Sequence, residues 1–245
     1  MRRLPAQMST AFRQPRQIIT STAALATLTG ASWLVLLRQP LIGDSIGLFL
    51  VGWLVMMAAM MLPSAMPMIL VVRLAVAPGR LAGLQTAVFA GSYLLVWTAL
   101  GLAAFVAQWS LMALGPTARG WAAVGILALA GAYQFSSLKN ACLRACRSPM
   151  DFVVLHWRSG TSGILRLGIA HGLYCLGCCW ALMAVLVVAG GMGIAWVALI
   201  ALVVFAEKIV TRSRSFPRMV GAILLVAAIL TALSPELRQL TAGQM

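Results

Sequence analysis

The longest apolar runs of this sequence are long enough to cross a lipid bilayer. A helix that rises about 1.5 Å per residue needs about 20 apolar residues to span a hydrocarbon core of about 30 Å. Hydrophobic residues form 62% of the 245 residues and charged residues only 9%, too little charge to cover a soluble domain of this length. We therefore predict an all-α, polytopic transmembrane helical bundle, surrounded by lipid in a bacterial inner membrane.

Seven segments are predicted to be spans within one transmembrane domain over residues 18–234. Their expected ranges are 18–37, 46–72, 83–112, 121–138, 164–189, 191–207 and 219–234. With this partition, 15 of the 18 Lys and Arg residues fall on one side, and that side is predicted to be cytoplasmic because basic loops stay inside. The residues 1–17 become a basic cytoplasmic tail, 139–163 a cytoplasmic loop and 235–245 a C-terminal tail on the outside.

The net charge of +14 would suggest nucleic acid as a partner of a soluble protein. Here the basic residues are scattered among short loops and form no clustered patch, so we exclude nucleic-acid binding. The sequence contains no phosphate-binding glycine loop. With two histidines and four acidic residues, no Ser/His/Asp arrangement is convincing either. We predict a protein that is not an enzyme.

The fifth predicted span contains a concentration of soft ligands. At about 100° per residue, His171, Cys175 and Cys178 lie on one stripe of the helix, with Cys179 at its edge and Met183 one turn beyond Cys179. Thiolates and thioethers favour Cu(I), and mixtures of Cys and His also suit zinc. Cysteine is also a small apolar residue that packs inside helices, but packing explains three cysteines within five positions poorly.

The second predicted span is rich in methionine. Six methionines fall between positions 56 and 68, of which Met56, Met57 and Met60 lie near one helical face; the others are Met61, Met66 and Met68. Pro63 and Pro67 are expected to break the helix immediately after this face. A packing face with a kink is one interpretation, and a set of thioether ligands for a soft metal is the other.

The predicted cytoplasmic loop carries a further pair of cysteines, Cys142 and Cys146. If this segment is helical, their i, i+4 spacing puts both thiols on one face. The nearby cations Lys139, Arg144 and Arg147 would favour the thiolate form. A site where metal is exchanged, a redox pair and an incidental pair all remain open.

Glu207 ends the sixth predicted span next to Lys208. Ionisable groups at membrane depth are rare and usually paired or functional. A salt bridge with Lys208 or a neighbouring arginine is one interpretation, and a hard ligand or proton carrier is the other.

Together these patterns resemble the DUF2182 family of predicted metal-binding integral membrane proteins, sometimes labelled copper chaperones. The resemblance covers about residues 45–212 and rests on four segments: Met56 to Pro63, Leu138 to Pro149, Gly172 to Met183, and Glu207-Lys208. It implies metal binding, without identifying the metal or the direction of movement.

The leading hypothesis is a membrane protein that binds Cu(I), with zinc as the other candidate metal. It would bind the ion, and pass it on, between the methionine-rich span and the Cys/His span, with another copper chaperone or a cuproenzyme as partner. One alternative is a transmembrane thiol–disulfide electron carrier that uses Cys175/Cys178 and Cys142/Cys146. The other is a structural subunit of a membrane complex, with the cysteines as packing residues.

Overall fold

A computed structural model of the chain describes residues 15–38, 45–76, 80–188, 193–210 and 213–244. Within these ranges the chain forms ten α-helices and one π-helical turn. The helices are α1 (Pro15–Arg38), α2 (Ile46–Ala75), α3 (Arg80–Met112), α4 (Pro116–Tyr133), α5 (Ser137–Arg147), α6 (Pro149–His156), α7 (Thr161–Val188), α8 (Ile194–Phe205), α9 (Ser215–Leu233) and α10 (Pro235–Gln244), with the π-helical turn at Ala206–Val210 between α8 and α9. The all-helical prediction is confirmed.

Five of the described helices are long and apolar enough to cross a membrane: α1, α2, α3, α7 and α9. A sixth span is possible if α4 and α5, which meet at a bend of 64°, act as one broken segment. The helix α8 has 12 residues and is too short to cross a bilayer by itself, although the prediction made 191–207 a span. The count of seven spans therefore stays a prediction, and so does the orientation of the bundle.

The predicted cytoplasmic loop 139–163 differs most from expectation, because its first two thirds are helical. Ser136 caps α5 by accepting a hydrogen bond from the Lys139 backbone N–H at 3.1 Å, and Pro149 starts α6. Helix α5 turns away from α4 and packs against α7. The predicted tail 235–245 likewise contains α10, which packs against α4. Most of the predicted tail 1–17 lies outside the described residues.

The expected helix break at Pro63 and Pro67 is wrong, because α2 continues through both prolines. A proline at position 63 has no N–H to donate to the carbonyl of Ala59, four residues earlier. The indole N–H of Trp33 in α1 donates to that carbonyl at 3.2 Å instead. A neighbouring helix thus satisfies the freed backbone group, which is how prolines are tolerated within helices at membrane depth.

Helix α7 lies at the centre of the bundle, with α3, α4, α5 and α8 packed around it. Its closest neighbour is α3, and glycines permit the approach. A Cβ at Gly168 would lie 2.6 Å from the carbonyl oxygen of Phe89, and one at Gly172 would lie 2.8 Å from Val96. Small residues at such spacing let helix backbones meet closely in lipid. The contact brings Tyr93 of α3 against the middle of α7.

Candidate metal centre

Three thiols of α7 form a compact, buried cluster. The sulfur atoms of Cys175, Cys178 and Cys179 all lie within 4.8 Å of one another, and each side chain is at most 1% exposed. The i, i+3, i+4 spacing puts them on one helical face. The predicted convergence of these three cysteines is therefore present, and their role as metal ligands stays a prediction.

The cluster has the size that a shared metal ion requires. Sulfurs that bind one ion at about 2.3 Å, the usual zinc–thiolate distance, lie at most about 4.6 Å apart. The Sγ atoms of Cys178 and Cys179 are 3.2 Å apart, and all five cysteines of the chain are free. A small rearrangement of side chains would let all three sulfurs face one soft cation.

A fourth thiol comes from α5. The Sγ of Cys146 lies 3.9 Å from the Sγ of Cys178. Cys142 is on the same face of α5, but its sulfur packs against Gly177 of α7. A Cβ added at Gly177 would lie 2.7 Å from that sulfur. The predicted shared face of the two thiols is confirmed, and only Cys146 reaches the cluster.

Lys208 contacts the thiol cluster directly, although its position next to Glu207 suggested a salt bridge between these two residues. Its ammonium donates to the Sγ of Cys175 at 2.9 Å and to the Oγ of Ser64 in α2 at 3.2 Å. The side chain is 7% exposed. Because it sits in the π-helical turn, an irregularity often found at functional sites, Lys208 points to the cluster while its neighbour Glu207 points to α5.

Tyr93 of α3 completes the surroundings of Cys175. Its hydroxyl lies 3.0 Å from the Cys175 sulfur, and the side chain is fully buried. Cys175 is thus contacted by a cation and a hydroxyl, both of which can donate hydrogen bonds to a sulfur that bears negative charge. An anionic sulfur, free or bound to a metal, would be stabilised at this position.

Glu207 forms a salt bridge, but not with the expected residues. Its Oε2 accepts a hydrogen bond from the ammonium of Lys139 at 2.8 Å, with the two side chains 0% and 1% exposed. The expected pairing with Lys208 or with an arginine side chain is therefore wrong. The guanidinium of Arg147 instead donates to the Glu207 backbone carbonyl, from Nε at 2.8 Å and from Nη2 at 2.6 Å. Two of the cations expected to act on the Cys142/Cys146 thiols, Lys139 and Arg147, thus contact Glu207.

The interpretation of Glu207 as a hard ligand or proton carrier requires a carboxylate oxygen that is free of the pair with Lys139. Its second carboxylate oxygen, Oε1, is buried and has no hydrogen-bond partner within the described residues. That role stays a prediction.

His171 is buried on α7 but does not belong to the compact thiol group. Its ring stacks on Tyr93, with centroids 5.3 Å apart, and meets the edge of Phe152 at 5.5 Å. The Nδ1 atom is buried and has no hydrogen-bond partner in the described part of the chain. The aromatic rings hold the imidazole one turn before Cys175, and its predicted role as a ligand stays a prediction.

Five of the six methionines of α2 are buried, and Met66 is half-buried. Met56, Met57, Met60 and Met61 are each at most 1% exposed, and Met183 of α7 is equally buried. The Lys208 ammonium connects α2 to the thiols, because it contacts both Ser64 and Cys175. Ser64 lies one turn after Met60 and Met61 on α2. Burial fits both packing and ligand roles, so the choice between them stays open.

Two residues that contact the thiols were missed from the sequence. Tyr93 is 82 positions from Cys175 and has no signal beyond a polar aromatic within a span. Lys208 had a signal, because a lysine next to a span is unusual, but its proximity to Glu207 in sequence suggested a local ion pair.

A family model described as PpoB2, copper chaperone, matches residues 50–231. The matched region extends from the first turns of α2 into the last turn of α9 and includes every thiol and both buried lysines. No curated protein and no solved structure matches the chain.

Proposed function

Because the chain belongs to the PpoB2 family of copper chaperones, we propose that it binds Cu(I) at Cys175, Cys178 and Cys179. The family description supports a protein that handles metal ions, and we propose that it does so without catalysing a reaction. The observation that carries the proposal is the buried group of three thiols with sulfurs within 4.8 Å of one another. Cu(I) is a soft cation that prefers sulfur ligands, whereas harder cations prefer oxygen.

The surroundings of the thiols supply what a Cu(I)–thiolate complex needs. One Cu(I) ion held by two of these sulfurs as thiolates and by the third as a neutral thiol has a net charge of −1, and burying an unpaired charge costs free energy. The ammonium of Lys208, 2.9 Å from the Cys175 sulfur, supplies the compensating positive charge. The same charge balance holds for a zinc ion with three thiolates, which keeps zinc as the second candidate.

Other residues are proposed as additional metal ligands, with less structural support than the three thiols. Cys146 is near enough to Cys178 to join the ion, and Met183 and His171 lie one turn to either side of the thiols on α7. The buried methionines of α2 are proposed as a second, weaker station for Cu(I), which the resemblance to DUF2182 and the thioether chemistry support. Glu207 is proposed to stabilise α5 through its pair with Lys139, and its second carboxylate oxygen is proposed as a hard ligand or proton carrier.

We propose that the chain is a multi-pass protein of the bacterial inner membrane, with the N-terminus in the cytoplasm. Five described helices of spanning length support membrane insertion. The distribution of Lys and Arg supports the orientation. In that setting the protein would receive Cu(I) from, or deliver it to, another copper chaperone or a cuproenzyme.

The test is a competition for Cu(I) by protein purified in detergent under anaerobic, reducing conditions. The protein removes Cu(I) from its coloured bicinchoninate complex, and the loss of colour gives the dissociation constant. We expect the unaltered protein to bind Cu(I), and Cys175→Ser or Cys178→Ser to lose most of the affinity because an oxygen replaces sulfur. Cys142→Ser is the comparison variant, since its sulfur packs against Gly177. Equal affinity in all four proteins would refute the thiol site.

One observation favours a second candidate, a thiol–disulfide carrier. Cys146 and Cys178 are 32 positions apart and their sulfurs are 3.9 Å apart, so a small movement would allow a disulfide of about 2.05 Å. Alkylation of free thiols in intact cells, followed by peptide mapping, distinguishes the candidates. A 146–178 disulfide in most molecules, together with no bound copper in the purified protein, would favour electron transfer.

A further inference from the structure

We propose that Cys146 is the exchange thiol through which Cu(I) reaches and leaves the buried cluster. This inference rests on the proposed function, because it assigns a route to the site of Cys175, Cys178 and Cys179. It adds the surface at which a donor docks and the chemical class of that donor, which is a carrier that holds Cu(I) by thiolates.

The inference begins with the burial of the cluster. The three thiols of α7 are at most 1% exposed. A Cu(I)-carrying donor in solution therefore cannot contact their sulfur atoms directly. Among the described residues, three side chains from other parts of the fold lie within hydrogen-bonding distance of these thiols: Tyr93, Lys208 and Cys146. Tyr93 and Lys208 are themselves buried, whereas Cys146 is partly exposed. Among these contacts, Cys146 alone joins the surface of the protein to the cluster.

The chemistry of Cys146 fits this position. Cu(I) moves between proteins by exchange of sulfur ligands, because thiols are both its preferred ligands and good nucleophiles as thiolates. The Sγ atoms of Cys146 and Cys178 are 3.9 Å apart, a distance at which one ion can bind both. The ion would therefore pass from Cys146 to Cys178 without ever being free in solution.

Each exchange step is balanced without a redox partner. The Cys146 sulfur loses its proton and forms a bond to Cu(I) as the bond to one donor sulfur breaks, and that donor thiolate takes up a proton. Next, Cys178 loses its proton and binds the ion, and the second donor sulfur is released and protonated. Cys175 or Cys179 then loses its proton and binds the ion as the bond to the Cys146 sulfur breaks, and that sulfur takes up a proton. Copper stays in the +1 state, and no electron is transferred.

The backbone around Cys146 supports a fixed exchange point. Arg147 anchors the C-terminal end of α5 through two hydrogen bonds to the Glu207 carbonyl, and Lys139 anchors its N-terminal end through the salt bridge to Glu207. Both anchors tie α5 to the π-helical turn after α8, and α5 packs against α7 with Cys146 beside Cys178.

The experiment separates the rate of Cu(I) loading from the affinity. Cu(I)–bicinchoninate, an anionic complex, is mixed rapidly with the apoprotein, and the loss of colour is followed in time and to equilibrium. We expect Cys146→Ser to slow loading at least about tenfold, equivalent to about 1.4 kcal/mol in the barrier. The affinity should fall by a smaller factor than the rate, because the three buried thiols remain.

Cys142→Ser is the matched control on the same helix, one turn away and also facing α7. Its loading rate should stay within about twofold of the unaltered protein, because its sulfur has no thiol contact in the cluster. An equal slowing of both variants, or a Cys146→Ser protein whose rate is unchanged, would overturn the proposal. Equal losses in rate and affinity would make Cys146 an ordinary ligand and would overturn it as well.

A second measurement avoids dependence on the folding of a variant. A charged methanethiosulfonate reagent should modify Cys146 first in the native apoprotein and block Cu(I) loading. Removal of the modification by a reductant should restore loading. Loading that proceeds with Cys146 blocked would refute the route. If the unaltered protein takes up no Cu(I) at all, the proposed function itself fails, a result distinct from uptake that ignores Cys146.

Discussion

Removing one partner of the buried ion pair between Lys139 and Glu207 should cause a large loss of stability. Removing the second partner as well should restore most of that stability. The two side chains are 1% and 0% exposed and their charged atoms are 2.8 Å apart. Replacing either residue with Met keeps the volume nearly constant but leaves the other charge buried without its partner. Breaking such a pair costs about 3–5 kcal/mol, whereas replacing both partners with apolar residues is often neutral or stabilising.

The expected change in melting temperature follows from this range. For a chain of 150–250 residues, 1 kcal/mol shifts the melting temperature by about 2–4 °C. Lys139→Met and Glu207→Met should therefore each lower it by about 6–20 °C. The double variant should recover most of the loss. Glu236→Met, at an exposed position, is the control and should change stability by less than about 0.5 kcal/mol.

Thermal unfolding of the detergent-purified protein, followed by circular dichroism or intrinsic tryptophan fluorescence, measures these shifts. The four proteins form a double-mutant cycle, whose interaction energy reports the pair itself. A double variant as unstable as the sum of the two single variants would show that the charges do not interact. Single variants with melting temperatures near that of the parent would refute the claim that the pair holds α5 in place.

Three further predictions follow from the site and the topology. Reporter tags should find the N-terminus in the cytoplasm and the C-terminus outside, and the same side for both would mean that one span is miscounted. Replacing Met56, Met57 and Met60 together with Leu should preserve folding but reduce cellular copper content. The exposed Met219→Leu should leave the copper content unchanged. If the triple variant also leaves it unchanged, the three methionines are packing residues. Lys208→Met should weaken Cu(I) binding about 10–100-fold, the range for residues that support metal ligands, with partial rescue by Lys208→Arg; undiminished affinity would contradict the role of its charge.

Local patterns predicted the α7 part of the site because helical geometry is itself local. Cys175, Cys178 and Cys179 share a face by their spacing alone, and no partner helix is needed to bring their sulfurs together. The same reasoning placed Cys142 and Cys146 on one face before α5 was known to be a helix. It was less successful with His171, which shares the stripe but turns its ring into an aromatic stack with Tyr93 and Phe152.

The prolines of α2 show a second limit of local reasoning. Propensity predicts that Pro63 and Pro67 interrupt a helix, since each removes a backbone donor. The helix continues because Trp33 of another helix donates to the freed carbonyl of Ala59. The outcome was decided by a contact between residues 26 positions apart, which no local pattern contains.

The sequence by itself determined the helical class, the apolar helices long enough to cross a membrane and the three thiols on one face, because hydrophobicity and helical spacing act over one to twenty residues. Only the tertiary structure decided which side chains from elsewhere join those thiols. Tyr93, Cys146 and Lys208 come from 82, 32 and 33 positions away, through the close packing of α3, the 64° bend before α5 and the π-helical turn after α8. Such contacts depend on how helices pack against one another, and packing follows from the shape of whole helix surfaces rather than from the spacing of residues within one helix.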